Sequence, residues 1–153
     1  MNIEKKKILI VDDDEHICAT LNLILEARGY AVEIANTGKE AMEKAETSYY
    51  NLAILDIRLP DIEGTELLRT MRQVSPKMVK IMLTGYPQLD NAIKSLNDGA
   101  DAYFTKPVEV EKLLDAIEEK LDEQNIDKSK TEKELGLFLR NRAEKFKQEL
   151  KEH

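Results

Sequence analysis

Residues that could carry out chemistry follow four short apolar runs of the sequence. In chain order they are Asp12, Asp13 and Asp14, then Asp56, then Thr84 and Gly85, and finally Thr105, Lys106 and Pro107. Carboxylates that meet at one point repel by roughly 4 kcal/mol per pair at about 4 Å and an intermediate dielectric, so such a cluster needs a cation. Oxygen ligands of this kind favour Mg²⁺. Because a lysine and a hydroxyl can hold phosphoryl oxygens, the set suits phosphoryl transfer with Asp56 as the nucleophile.

Each motif taken alone has an ordinary explanation. A run of aspartates is typical of a solvated acidic turn, and a single aspartate is typical of a loop or a helix N-cap. No serine or cysteine is paired with a histidine in a pattern for nucleophilic catalysis, and no glycine-rich phosphate loop is present. The single cysteine, Cys18, lies in a helical pattern that favours a small core residue.

The elements that must position these residues alternate regularly along the chain. Apolar strands are predicted at 7–12, 31–36, 51–56, 79–85 and 100–107, and amphipathic helices at 17–29, 37–48, 63–76, 87–99 and 109–121. Such alternation predicts an α/β protein with a doubly wound (βα)5 parallel sheet, helices on both faces and strand order 2-1-3-4-5. The short strand 31–36 is a candidate for the edge of the sheet.

This strand order brings together the candidate site residues at the ends of the strands. Ligands of such sheets bind beyond the carboxyl ends of the strands, near the point where the strand order reverses. Strands 1, 3, 4 and 5 are consecutive neighbours, so we expect the acids, the threonine and the lysine to converge at one edge. Each motif alone is common. Their combination is specific, because all of them fall at predicted strand ends on the same edge of one fold.

Composition and charge narrow the class of protein. The chain has 153 residues and a formal net charge of −7; residues 121–153 hold eight basic and eight acidic residues, so residues 1–120 carry all of that charge. A basic face is absent, which argues against direct nucleic-acid binding. No apolar run is long enough to span a membrane or to form a signal-peptide core, so we expect a cytoplasmic protein without membrane insertion.

The quoted motifs resemble a known family. The segments ILIVDDDEHI, LAILDIRLPDIEG, IMLTGYP and DAYFTKP are similar to the receiver domain of bacterial and archaeal two-component response regulators, over residues 5–121. The resemblance implies a flavodoxin-like fold in which Asp56 accepts a phosphoryl group from a histidine kinase or phosphotransfer protein. It also implies that Thr84 and Lys106 bind the phosphoryl oxygens, and that the Lys106–Pro107 peptide is cis.

The same resemblance implies a metal site. Asp12 and Asp13 would hold Mg²⁺ together with Asp56, Asp13 directly and Asp12 partly through water, and the backbone carbonyl of Arg58 would be a further ligand. We interpret the additional acid Asp14 as the cap of the first helix rather than as a ligand.

A switch is implied by Tyr103, which lies where the family has an aromatic residue that turns inward. The hypothesis is that phosphorylation draws Thr84 towards the site and that Tyr103 fills the space, remodelling the face made by the fourth helix, fifth strand and fifth helix for a protein target. The alternative is ordinary packing of Tyr103. Arg58 and Tyr86 are candidates for tuning the lifetime of the acyl phosphate, or are simply residues of the rim.

The domain prediction is a receiver at 1–121, a polar linker or helix extension at 122–130 and an amphipathic helical tail at 131–153. A capping-box pattern at Thr131 and Glu134 suggests where the tail helix begins. Its apolar stripe is short for a coiled coil, so the tail could pack on the receiver, form a homodimer, bind a partner or remain solvated. A homodimer could also form through the face of the fourth helix, fifth strand and fifth helix.

For function we expect a stand-alone receiver that is not an enzyme beyond catalysing its own phosphorylation and dephosphorylation. The alternative is a phosphorylation-independent adaptor that binds through the tail. A phosphatase that uses an aspartyl phosphate is a distant third hypothesis, because the sequence shows no dedicated general base or substrate pocket.

Overall fold

The computed structural model describes residues 4–85 and 97–151. Within them, five parallel strands form one sheet: β1 (Lys7–Val11), β2 (Ala31–Ala35), β3 (Leu52–Leu55), β4 (Val79–Thr84) and β5 (Ala102–Thr105). Their order is β2-β1-β3-β4-β5, with β2 at an edge, so the predicted fold and strand order are confirmed.

The registers align the carboxyl ends of the strands. Val11 at the end of β1 lies opposite Ala35 and Leu55, the last residues of β2 and β3. Thr84 and Thr105, the last residues of β4 and β5, lie opposite each other. Residues that follow these strands therefore emerge at the same edge of the sheet.

The part of the chain that the structure describes contains four helices: α1 (Glu15–Ala27), α2 (Gly38–Thr47), α3 (Gly64–Val74) and α4 (Val110–Lys151). Alternating residues of the strands build a core on each face. On one face the sheet packs with α2 and α3, through residues that include Leu9, Val11, Ala41, Leu67 and Met71. On the other face it packs with α1 and the first turns of α4, through residues that include Ile8, Ile10, Leu21, Leu25 and Ile117.

The burial of the central strands explains their composition. Leu52, Ala53, Ile54 and Leu55 of β3 are at most 2% exposed, because neighbouring strands flank β3 and helices cover both faces. A strand buried in this way cannot alternate apolar and polar residues, and it becomes a continuous apolar run.

A lysine side chain is buried inside this core. Lys80 of β4 is 2% exposed, and its Nζ donates hydrogen bonds to the backbone oxygens of Ser75 at 2.9 Å and Met78 at 2.7 Å. Burial lowers the pKa of Lys80. The ammonium is satisfied at the amino end of the strand, so the charge is tolerated far from the candidate site.

The structure contradicts the predicted start of the tail helix. The capping-box prediction at Thr131 is wrong, because α4 is helical throughout Val110–Lys151 and the Thr131 hydroxyl donates to the Asp127 carbonyl at 2.9 Å within the helix. The predicted helix 87–99 lies outside the described residues except for 97–99. No helix among the described residues is both long enough and apolar enough to cross a bilayer.

Internal contacts divide the chain into two units, Met1–Leu121 and Asp122–His153. The first unit contains the sheet and its two cores. The second unit is helical and exposes large apolar side chains, namely Ile126, Leu135, Leu137, Phe138, Leu139, Phe146 and Leu150.

Two glycine substitutions test this description of the helices. Gly136 has no neighbouring atom within 4 Å of an added Cβ, so Gly136→Ala should stabilise its helix by about 1 kcal/mol, the difference in helix propensity. Gly29 lies two residues after the end of α1 and has a φ of 92°, which L side chains rarely adopt, so Gly29→Ala should destabilise the first unit by about 1 kcal/mol. Urea unfolding followed by circular dichroism measures both changes, and equal signs would contradict the description.

Candidate functional site

Asp12 directly follows β1 and is held by hydrogen bonds from several neighbouring groups. Its side chain is almost fully buried, and its Oδ1 accepts the backbone N–H of Asp14 at 2.9 Å. Its backbone oxygen accepts the side-chain N–H of Asn36 at 3.0 Å and the thiol of Cys18 at 3.3 Å. Cys18 is itself buried, as the sequence predicted, and its burial raises the pKa of its thiol to about 11. Asp12 is therefore fixed in both backbone and side chain.

The two acids after Asp12 are exposed and have different surroundings. Asp14 is the N-cap of α1, because its Oδ1 accepts the backbone N–H groups of His16 at 2.9 Å and Ile17 at 3.2 Å. The prediction that Asp14 caps this helix is confirmed. Asp13 instead offers a carboxylate oxygen close to Asp12 and Asp56.

Asp56 follows β3 and is 6% exposed. Its backbone N–H donates to the Val11 carbonyl at 2.9 Å, and its Oδ1 accepts the Arg58 backbone N–H at 3.4 Å. Burial, followed by the negative charge of Asp12, raises the pKa of Asp56 to about 6, although the positive charge of Lys106 acts in the opposite direction. The carboxylate is thus poorly solvated and close to charges of both signs.

Lys106 connects the two buried acids. Its Nζ lies 2.8 Å from Asp12 Oδ2 and 3.6 Å from Asp56 Oδ2. Burial disfavours the charged ammonium, but the hydrogen bond to Asp12 and the two carboxylate charges outweigh it and raise the pKa of Lys106. The Lys106 N–H donates to the Thr84 carbonyl at 2.6 Å, and the Lys106–Pro107 peptide is cis, as the resemblance implied.

Thr84 and Tyr103 lie on adjacent strands. Thr84 is fully buried at the end of β4. Tyr103 on β5 is partly buried, packs against the core on the α2 and α3 face, and has a buried hydroxyl. Burial also raises the pKa of Tyr103. In register, Tyr103 lies opposite Met82, two residues before Thr84 on β4.

Two predicted residues remain, Arg58 and Tyr86. Arg58 is exposed in the loop after Asp56 and forms an isolated antiparallel bridge with Glu63. Tyr86 lies outside the described residues.

The donor set fits a hard divalent cation. Asp12, Asp13 and Asp56 each offer one carboxylate oxygen, and these oxygens lie within 4.8 Å of one another. Mg²⁺ prefers oxygen ligands and is commonly bound by one or two carboxylates together with water and phosphate oxygens. Lys106 supplies one positive charge against three carboxylates. The cluster therefore keeps a net negative charge, which favours binding of a cation.

Sequence reasoning missed three residues that support the site. Asn36 and Asp61 hold the flanking loops through hydrogen bonds, and Gly64 allows a close backbone approach, because a Cβ there would overlap the Asp56 carbonyl oxygen. The sequence could have indicated Asn36, because it lies at the carboxyl end of a predicted strand, as the other candidate site residues do. The partners of Asp61 depend on tertiary contacts between segments more than 20 residues apart, as its separation of 23 residues from Gly38 shows.

Comparison with known proteins identifies relatives of similar architecture. A crystal structure of a receiver domain protein (CheY-like) from Methanospirillum hungatei JF-1 is 53% identical, with a TM-score of 0.79 over 81% of this chain and 99% of that one. A response regulator from Burkholderia pseudomallei, whose crystal structure contains a phosphorylated aspartic acid, a calcium ion and citrate, is 32% identical, with a TM-score of 0.71 over 81% of this chain and 73% of that one.

Curated sequences and a family profile agree with the structural relatives. The transcriptional regulatory protein YkoG of Bacillus subtilis, described as uncharacterized, is 39% identical over 90% of this chain and 58% of its own length. The chain thus spans less than two thirds of this relative. The response regulator receiver domain profile matches residues 8–118, which include β2 to β5 and all of β1 except Lys7. The chain belongs to the response regulator receiver domain family.

Proposed function

We propose that this protein receives a phosphoryl group on Asp56 from a histidine kinase or a phosphotransfer protein, in a Mg²⁺-dependent reaction. The observation that carries the proposal is the buried Asp56 carboxylate, 3.6 Å from the Lys106 ammonium and beside the oxygens of Asp12 and Asp13. The phosphorylated aspartic acid in the Burkholderia pseudomallei relative supports it. Family membership makes a response-regulator role the expected context.

The residues of the site have distinct roles in this proposal. An oxygen of Asp56 attacks phosphorus as the bond from phosphorus to the donor histidine breaks, and the electron pair of that bond goes to the histidine nitrogen. The ring leaves as neutral imidazole, either by keeping a proton on its other nitrogen or by taking one up from solvent. Lys106 exchanges its contact with Asp12 for a phosphoryl oxygen, and Thr84 donates its hydroxyl to another. Burial removes water from Asp56, which strengthens each of these electrostatic contacts.

Asp12, Asp13, Asp56 and the Arg58 carbonyl are the residues that would hold Mg²⁺. When bound, the ion would neutralise the carboxylates and the phosphoryl oxygens. Asp13 is exposed, so a donor protein can reach the site. Asp12 is buried, which restricts the position of its carboxylate.

Output and location are parts of the same proposal. We place the protein in the cytoplasm and assign its output to contacts with a downstream protein. The curated relatives include transcriptional regulators, but nothing in the charge of this chain favours direct binding to DNA. Its own phosphorylation and dephosphorylation are the reactions we assign to it.

The phosphoacceptor is tested by mass spectrometry after incubation with acetyl phosphate and Mg²⁺. The wild type should gain the mass of one phosphoryl group, and Asp56→Asn should gain none, because an amide oxygen is a far weaker nucleophile than a carboxylate oxygen. Asp101→Asn is the matched control, because Asp101 contacts the Lys80 backbone at the opposite end of β4. An equal gain in Asp56→Asn, or no gain in the wild type, would contradict the proposal.

We also propose that Thr84 and Tyr103 couple phosphorylation to the surface. Movement of the Thr84 hydroxyl towards a phosphoryl oxygen would open space beside β4, and the Tyr103 ring would move further into it. The surface affected consists of β5, the part of α4 in the first unit and the predicted helix 87–99, of which residues 87–96 lie outside the described residues.

Fluorine NMR of fluorotyrosine-labelled protein tests the coupling. Beryllofluoride with Mg²⁺ should shift the Tyr103 resonance in the wild type and not in Thr84→Ala, although binding persists. Thr105→Ala is the control, because Thr105 lies opposite Thr84 in register but is exposed. A Tyr103 resonance that is unchanged in the wild type, or that shifts equally in Thr84→Ala, would refute the coupling.

The second candidate function is that of a phosphorylation-independent adaptor. The apolar side chains exposed on the second unit favour it, because such faces commonly bind another helix or a groove. Charged substitutions at Leu139 and Phe146 should then abolish partner binding, whereas Asp56→Asn should leave binding intact. The same substitutions would abolish a homodimer formed through this segment, which size-exclusion chromatography reports.

A further inference from the structure

The loop after Asp56, residues 57–63, is joined to the N-terminus of α2. Asp61 Oδ1 accepts the Gly38 backbone N–H at 2.8 Å, and Asp61 Oδ2 accepts the Lys39 backbone N–H at 2.9 Å. The first N–H groups of a helix have no partner within the helix. Asp61 therefore satisfies two of them from a distant segment, and these hydrogen bonds lower the pKa of its carboxyl.

Packing reinforces this junction. A Cβ at Gly38 would overlap Cγ2 of Ile62, so glycine at this position allows the loop to approach the helix closely. Leu59 and Ile62 of the loop, together with Met42 of α2, pack against the core on the α2 and α3 face of the sheet. The loop is thus held to α2 by both hydrogen bonds and apolar contact.

The N-terminus of α2 also holds the loop after β1. The Asn36 side-chain N–H donates to the Asp12 carbonyl at 3.0 Å, and the Asn36 backbone N–H donates to Glu40 Oε2 at 3.1 Å. Thr37, the N-cap, accepts the Glu40 N–H at 3.1 Å. One helical turn therefore contacts both loops that carry candidate metal ligands.

Displacing the 57–63 loop would alter the site directly. The Arg58 N–H contacts the Asp56 carboxylate at 3.4 Å, and the Gly64 N–H donates to the Ile57 carbonyl at 2.6 Å. The Arg58↔Glu63 bridge links the two ends of this loop, so a displacement at Asp61 is transmitted to Arg58.

We propose that the N-terminus of α2 braces the metal site, with Asp61 and Asn36 as positioning residues that set the spacing between the loops after β1 and β3. This inference rests on the proposed function, because it assigns the site a bound Mg²⁺. Mg²⁺ tolerates little departure from octahedral geometry, so a small change of spacing weakens binding. Groups that support metal ligands typically contribute about tenfold or more to affinity, and we expect about tenfold for Asp61.

Calorimetric titration of the full chain with MgCl₂ tests the brace. Asp61→Ala removes both acceptors, and Gly38→Ala leaves Asp61 in place but pushes Ile62 away. Both variants should weaken Mg²⁺ binding about tenfold. Asp61→Asn keeps one side-chain oxygen and should fall between Asp61→Ala and the wild type.

Two controls separate positioning from general destabilisation. Gly136→Ala makes the same chemical change in open space, and Asp101→Ala removes an acceptor of the Lys80 N–H away from the site. Both should retain the wild-type Mg²⁺ affinity, and Asp101→Ala should do so even if its melting temperature falls. Thermal melts identify variants that are not folded, and Asp61→Asn provides a second, milder test of the same contact.

The outcomes distinguish this inference from the proposed phosphoacceptor role. Wild-type affinity in folded Asp61→Ala and Gly38→Ala would overturn the brace, even if Asp56 is phosphorylated normally. Weakened Mg²⁺ binding in both, with unchanged controls, supports the brace, even if Asp56 fails to gain a phosphoryl group. Equal losses in Asp101→Ala would also overturn it, because the effect would then reflect stability.

Discussion

The main constraint on the structure is the repulsion among three carboxylates that lie together at the carboxyl ends of the buried strands. Asp12 and Asp56 are nearly inaccessible to water, and with Asp13 they bring oxygens within 4.8 Å of one another. Such an arrangement is unfavourable alone, since the buried carboxylates have lost contact with water and like charges repel. Lys106 offsets part of the repulsion through its contacts with Asp12 and Asp56. The remaining negative charge is what makes the site suited to a divalent cation and a phosphoryl group.

The fold maintains this unfavourable arrangement by distributing its supports. The strands that precede Asp12 and Asp56 lie side by side within the hydrophobic core, and the loops after these strands are tied to α1 and α2. Asp14 holds the start of α1, whereas Asp61 reaches across to α2. Stability generated by apolar packing is thereby used to hold a destabilising cluster, which is a common feature of functional sites.

Much of this could be predicted from the sequence because the signals are local. The apolar runs of β1, β3 and β4 identify strands buried on both faces, and their order brings the carboxyl ends together. The N-cap at Asp14 is likewise a short-range pattern, and the structure confirms it. The roles of the individual site residues remain predictions.

The features that could not be predicted depend on tertiary contacts or on ambiguous local patterns. The contact of Asp61 with Gly38 joins residues 23 positions apart, so neither segment alone indicates it. Thr131 and Glu134 fit a capping box, but the same spacing also occurs inside a helix, where the Thr131 hydroxyl finds a backbone acceptor. Lys80 breaks an apolar strand, and only the positions of the Ser75 and Met78 carbonyls show how its charge is satisfied.

A Mg²⁺ titration that compares two adjacent acids tests the central claim most directly. Calorimetry of the wild type, Asp13→Asn and Asp14→Asn should show that Asp13→Asn loses at least about tenfold in affinity, since a direct ligand should matter no less than its supports. Asp14→Asn should keep the wild-type affinity, because asparagine also caps helices well. Equal losses in both variants, or no Mg²⁺ binding by the wild type, would contradict the account.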